Sequence, residues 1–184
     1  MILASGSPQR RAILEQLGVA FEVLVTGTDE LEQGEPAAVA VENARRKARA
    51  ACRMRDGADT VLGADTVVTL GGRIYGKPAG RDEAAATLRA LSGTSHVVIS
   101  GLCLIAAGTE RTAWAATEVS FRTLSERDIE WYLDSGEWEG RAGGYAVQGR
   151  GGALVRSISG DYSNVVGLPL AALLELMPSL LFAV

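Results

Sequence analysis

The chain has 184 residues, 47% of them hydrophobic and 22% charged, ordinary values for one soluble domain that buries its own core. A formal net charge of −4 excludes a nucleic-acid binder working through a broad basic field, so any anion site must be local. A single histidine, His96, and two cysteines without zinc spacing, Cys52 and Cys103, exclude a disulfide scaffold, a His-rich metal centre and most Ser-His-Asp triads; reduced thiols in a cytoplasmic protein and chemistry run on carboxylates and lysines remain.

In chain order, a two-residue apolar start leads into Ala4-Ser5-Gly6-Ser7-Pro8-Gln9-Arg10-Arg11, which opens a helix. Ser7 suits the N-cap because its hydroxyl satisfies an orphan N–H, and Pro8 suits the first helical position through its fixed φ. Such a helix aims free N–H groups and its positive dipole end at the Ser5-Gly6-Ser7 loop, which reads as a phosphate grip assisted by Arg10 and Arg11. A capped surface helix with two solvated arginines fits this segment equally well. Met1-Ile2-Leu3-Ala4 carries no basic leader, and the late run from Val165 to Leu176 is broken by Gly167, Pro169 and Glu175, so no membrane segment is expected.

Phe21 to Val25 reads as a strand, and Asp29 and Glu30 after it are either loop acids or metal donors shared with Asp65. A helix is expected from about Pro36 to Met54, with Val39, Asn43 and Lys47 on one stripe beside Ala40, Ala44, Ala48 and Ala51, and with Arg45, Arg46, Arg49 and Arg53 on other sides. Lys47 therefore either snorkels outward or reaches an anionic pocket. Glu42 and Arg46 form an ordinary i, i+4 pair.

Thr60 to Leu70 reads as the next strand. Its Gly63-Ala64 step presents Asp65, and ligands of open α/β sheets lie beyond the carboxyl ends of strands. Asp65 is then a cation ligand or a base for water, with a turn or cap aspartate as the plain alternative. Gly71-Gly72-Arg73-Ile74-Tyr75-Gly76-Lys77-Pro78 approaches a Walker loop, but Pro78 removes both the metal-binding hydroxyl and a backbone N–H, and Leu70 to Arg73 reads as a tight hairpin. A Walker-type NTPase is rejected; Lys77 is either a phosphate-binding point charge or a solvated hairpin lysine.

A helix from about Arg81 to Leu91, a strand from His96 to Ala107, a turn at Gly108-Thr109-Glu110 and a strand from Thr112 to Phe121 follow, giving an α/β chain with a mixed sheet. Ser125 to Ser135 forms a helix with Ser125 and Asp128 in a capping box and Gly136 as its stop, and Leu168 to Met177 closes the chain before Pro178. Gly140 to Gly152 is too glycine-dense for a regular element and reads as a substrate wall. Acids, three cationic side chains, a helix N-terminus and that wall together suit metal-assisted hydrolysis of a phosphate ester or anhydride.

The motifs Ser5-Gly6-Ser7-Pro8, Gly63-Ala64-Asp65-Thr66, Gly76-Lys77-Pro78, Ala142-Gly143-Gly144-Tyr145-Ala146-Val147-Gln148-Gly149 and Gly160-Asp161-Tyr162-Ser163-Asn164-Val165-Val166-Gly167-Leu168-Pro169, in this order, closely resemble the Maf family of nucleoside triphosphate pyrophosphatases. The resemblance spans the chain as a single domain. It implies an α/β fold like that of the inosine triphosphate pyrophosphatases, a mixed twisted sheet flanked by helices with a cleft between two lobes, often as a homodimer. It also implies hydrolysis of the α–β phosphoanhydride with a divalent cation (Mg, Mn or Co), in a role that clears unwanted nucleotides. On the matched positions Asp65 is the proton acceptor, Glu30 assists at metal or water, Arg10, Lys47 and Lys77 hold the triphosphate with the Ser5 and Ser7 loop, and Thr66 and Gln148 serve base selection.

The Asp65-Thr66 and Tyr145-x-x-Gln148 forms resemble the branch acting on dTTP and UTP rather than the branch acting on 7-methyl-GTP. The residue after Pro8, normally arginine in the first branch and tryptophan in the second, is Gln9 here. It brings hydrogen bonding but no charge, so weaker or broader selectivity is the physical expectation. Arg141 stands where a lysine is common, keeping charge with a different donor geometry. The rival readings are a non-catalytic nucleotide-binding regulator of cell division and a phosphatase that releases orthophosphate.

Overall fold

The computed structural model describes residues 1–55 and 60–182. Its centre is a seven-stranded mixed sheet in the order β2-β1-β3-β5-β6-β7, with β4 paired to β3. The strands are β1 (Ile2–Ala4), β2 (Glu22–Val23), β3 (Thr60–Leu70), β4 (Arg73–Tyr75), β5 (Ser95–Ala106), β6 (Thr109–Phe121) and β7 (Val155–Ser159). Beside them run α1 (Pro8–Gln16), α2 (Pro36–Met54), α3 (Arg81–Leu91), α4 (Glu126–Leu133), α5 (Tyr162–Val166) and α6 (Leu170–Leu176). Among the described residues only β1 runs parallel to its neighbours β2 and β3; every other pairing there is antiparallel.

The long central strands β3 and β5 are buried nearly throughout because helices cover both faces of the sheet. On one face α2 lays Ala44, Ala48 and Ala51 against Ile2, Val61 and Cys103. On the other, Leu3, Leu62 and Leu102 pack with Leu168 and Leu173 near the chain's end. A third cluster joins Leu88 and Leu91 of α3 to Ile129 and Tyr132 of α4 and to Tyr145.

The approach of α2 is close because two strand positions lack a side chain. A Cβ on Gly63 would stand 2.1 Å from the Ala44 carbonyl oxygen, and one on Gly101 2.4 Å from the Ala40 carbonyl carbon. Neither could be accommodated without moving the helix. This contact brings Asn43 and Lys47, which the sequence places on the same helix stripe, down onto the middle of β3.

The structure changes several expectations. Asp65 does not follow the end of its strand; it lies within β3, opposite Gly101 of β5. The strand that ends there is β1, whose Ala4 pairs with Gly63, so Asp65 sits just past the terminus of the parallel strand. The strand expected over Phe21 to Val25 shortens to Glu22–Val23, and β6 begins at Thr109 because Ala107 (φ 47°) and Gly108 (φ 74°) make a two-residue turn. The closing helix is α6 alone; α5 precedes it, and Gly167 (φ 126°) breaks the chain between them. The glycine-dense stretch holds two short 3₁₀ turns, Ala142–Gly144 and Gly149–Leu154. Strand β7 was not legible, since five half-exposed residues carry too little pattern. The hairpin at Leu70 to Arg73 and the Ser125–Asp128 capping box form as expected. No helix of the described residues is long and apolar enough to cross a membrane.

Candidate active-site cleft

A cleft of about 550 Å³ opens over the end of β1 and the middle of β3. It gathers ten of the candidate residues: Ser5, Ser7, Gln9, Arg10, Glu30, Lys47, Asp65, Thr66, Lys77 and Gln148 line it together, whereas Arg11 and Asp29 lie outside its lining.

Its centre is a chain of charges. Lys47 Nζ stands 2.6 Å from Asp65 Oδ1 and 2.6 Å from Glu30 Oε1. The second Glu30 oxygen accepts from Lys77 Nζ at 2.7 Å. Asp65 is 5% exposed, and Lys77 is half exposed at the mouth. Of the two readings open for Lys47, the anionic pocket is the one realised. Burial pushes the Glu30 carboxyl upward, but the hydrogen bonds from Lys47 and Lys77 outweigh it and bring the group down to about 2. Glu30 is therefore ionised at any physiological pH.

Asn43 belongs to this centre, although only its place on the α2 stripe was visible beforehand. It is 2% exposed, and its Nδ2 donates to Asp65 Oδ2 at 3.0 Å and to the Leu31 carbonyl at 3.0 Å, while its Oδ1 accepts from the Leu31 N–H at 2.7 Å. One amide thus fixes the catalytic candidate and the loop that carries Glu30. A polar residue on the buried stripe of an amphipathic helix was the available signal, because such a residue must find partners inside.

Arg10 is 7% exposed and spent on the protein. Its Nε donates to the Gly167 carbonyl (2.8 Å), Nη1 to Ser5 Oγ (2.8 Å) and the Ala64 carbonyl (2.9 Å), and Nη2 to Thr66 Oγ1 (2.9 Å). Burial lowers its pKa, with the charges of Asp65 and Glu30 opposing. Ser5 Oγ also accepts from the Ser7 N–H at 3.3 Å, Ser7 Oγ caps the Arg10 N–H at 3.5 Å, and Thr66 Oγ1 shares a hydrogen bond with Ser100 Oγ at 2.8 Å. Arg11, read with Arg10 as a phosphate ligand, instead faces solvent and pairs with Glu15 at 2.7 Å, one helical turn away.

The opposite wall is the glycine-rich stretch. Gly143 (φ 68°) donates its N–H to the Gly76 carbonyl at 3.0 Å, and a Cβ there would press on Val68 at 2.9 Å, so glycine is required. The Ala146 N–H donates to Tyr132 Oη at 3.0 Å, and Tyr145 Oη bonds His96 Nε2 at 2.8 Å. Gln148 is exposed at the rim. Arg141 Nη1 donates across the cleft to Gln9 Oε1.

Paired acids linked through cations, a helix N-terminus and a glycine-rich wall recur in this one cleft, in the chain order already noted for the family motifs. Residues 1–180 match the family described as Maf-like protein. The chain belongs to the Maf family. Maf relatives named dTTP/UTP pyrophosphatase include one from Deinococcus radiodurans, 46% identical over 96% of this chain and 91% of its own length. Another from Anaeromyxobacter dehalogenans is 48% identical over 93% and 89%, and one from Pyrococcus furiosus is 41% identical over 96% and 93%. Among solved structures, the Staphylococcus aureus Ham1 protein overlaps 65% of this chain and 70% of its own at a TM-score of 0.47 and 15% identity.

Proposed function

We propose that this Maf protein hydrolyses the α–β phosphoanhydride of nucleoside triphosphates, with dTTP and UTP as its preferred class, releasing a nucleoside monophosphate and pyrophosphate. The convergence of Asp65, Glu30, Lys47 and Lys77 in one cleft beside the α1 N-terminus carries the reading. The names of the relatives, each aligned over more than nine-tenths of this chain, support the substrate class.

Attack at the α phosphorus needs an aligned water, a base and cover for the charge on the phosphate oxygens. Asp65 takes the proton. Its two oxygens each accept one hydrogen bond from the protein, from Lys47 and Asn43, which leaves accepting positions for water. Lys47 and Lys77 exchange part of their pairing with Glu30 for phosphate oxygens when substrate enters, and Arg10 keeps the Ser5 to Ser7 loop in shape below them.

A divalent cation fits this site. The carboxylates of Glu30 and Asp65 already converge on one positive centre, Lys47 Nζ, and two carboxylates completed by substrate phosphates suit a hard ion such as Mg²⁺ or Mn²⁺. Among the described residues no group of three or more His, Cys, Asp or Glu could hold an ion unaided. When bound at Glu30 and Asp65, the cation would neutralise phosphate charge and lower the pKa of water. We place the reaction in the cytoplasm, acting on the free nucleotide pool.

The test is incubation with a panel of nucleoside triphosphates and Mg²⁺, Mn²⁺ or Co²⁺. Pyrophosphate release, fastest from dTTP and UTP, is the expected result. Direct orthophosphate release, or binding without turnover, would overturn it.

A further inference from the structure

The donor inventory of the cleft singles out one cation. A guanidinium offers five N–H donors and an ammonium three. Arg10 has four of its hydrogen bonds committed to protein oxygens, and Lys47 has two short contacts to carboxylates. Lys77 has one. The charges of Lys47 and Lys77 are balanced by Glu30 and Asp65. Arg141 pairs with no carboxylate among the described residues, and its one side-chain partner is the neutral amide oxygen of Gln9. Its Nε–H is buried without any partner among the described residues.

The backbone beneath Arg141 is fixed. Its N–H donates to the Trp138 carbonyl at 3.2 Å and its own carbonyl accepts from the Gly144 N–H at 3.0 Å, so the side chain leaves a defined 3₁₀ turn. Gln9 in turn lies in the first turn of α1, and its Oε1 also accepts from Ser7 Oγ at 3.3 Å. The guanidinium is thereby held over the end of the helix where free N–H groups and the dipole already favour an anion.

We propose that Arg141, held in place by Gln9, is a further substrate-binding residue that grips the phosphate chain of the nucleotide from the glycine-rich wall. This deepens the pyrophosphatase reading and rests on it for the identity of the ligand. Gln9 is then a positioning residue: its neutral oxygen orients the guanidinium without cancelling the charge, which a carboxylate at that position would do. An arginine there would remove the acceptor and set two like charges face to face.

The experiment compares steady-state pyrophosphate release from dTTP and UTP, and calorimetric titration with inorganic pyrophosphate, across wild type, R141A, R141K, Q9A and the R141A/Q9A double variant. Loss of a charge-assisted phosphate contact is expected to raise KM in R141A about tenfold, to weaken pyrophosphate binding to a similar extent, and to change kcat by less than about threefold with an unchanged Tm. R141K should recover most of the loss. Q9A should show a smaller KM rise that adds nothing in the R141A background, as coupled neighbours require. Unchanged KM and pyrophosphate affinity in R141A, R141K no better than R141A, or additive effects of the two single changes would each overturn the proposal. A wild-type protein that releases no pyrophosphate from any triphosphate would overturn the reading of function, and the pyrophosphate titration would still decide the role of Arg141.

Discussion

The two walls of the cleft are built on opposite plans. On the α2 side every polar group that reaches the cleft is held by others: Asp65 by Lys47 and Asn43, Glu30 by two lysines, Arg10 by four oxygens. On the glycine-rich side the backbone is anchored through Tyr132 and Gly76 and the Tyr145 side chain through His96, but Gln148 is exposed and Arg141 has one side-chain partner among the described residues. A prearranged wall suits the chemistry, which tolerates little misplacement, and a wall with unspent donors suits recognition of the incoming ligand.

The contrast is broken most severely at Asp65. Asp65→Asn keeps the shape and should leave the fold intact while lowering turnover by ~10²–10⁴-fold, the range for loss of a general base. Near wild-type kcat with normal Tm would remove Asp65 from the chemistry.

The other wall has its own sensitivity, to acid. Burial lowers the His96 pKa from the ordinary value to about 4, and the ring stacks edge-on with Phe121 and Tyr145. Because the folded-state value is depressed, the unfolded chain binds the proton more readily. The stability that neutral His96 represents is whole above about pH 6.5 and is lost as pH falls to about 4. On that interval the protein should lose about 3 kcal/mol relative to a His96→Phe variant. Parallel pH–stability curves for the two proteins in chemical denaturation would contradict this.

The packed wall can also be loosened from behind. Gly63→Ala, outside the cleft lining, must push α2 off β3, since the added Cβ has no room beside the Ala44 carbonyl. Overpacking of this kind costs about 1–3 kcal/mol. We expect a lowered Tm together with a fall in kcat, because Asn43 and Lys47 ride on the displaced helix. A stability loss with full kcat would show that their spacing to Asp65 is not critical.

The smallest effect is expected at the mouth. Lys77→Ala removes a half-exposed ammonium and should reduce kcat/KM about tenfold, as for a lost charged contact, without changing Tm. An unchanged kcat/KM would return Lys77 to a solvated hairpin lysine.

Much of the secondary structure was legible in the residues. The alanine stripe, the Ser7-Pro8 start, the Gly71-Gly72 turn and the Ser125–Asp128 box are local signals, each decided by neighbours within a turn or two, and α2, β3 and α3 begin and end where the pattern places them. β7 and α5 were not, because five-residue elements bury too little to leave a period. Arg10 and Arg11 could not be told apart in the sequence: adjacent helical residues point in different directions, so Arg10 turns inward to clamp the Ser5 to Ser7 loop while Arg11 faces solvent, and composition alone cannot say which faces the sheet.

By itself, then, the sequence determined the types of the longer elements, the family motifs and the chemical inventory, since propensity, capping and periodicity act over short stretches of chain. Tertiary structure decided which groups meet: that two glycines let α2 settle onto β3, that Lys47 lands between Glu30 and Asp65, that Arg10 is consumed as a clamp, and that Arg141 faces Gln9. Those outcomes depend on packing between segments separated by many residues along the chain, where a shift of about an ångström makes or breaks a hydrogen bond.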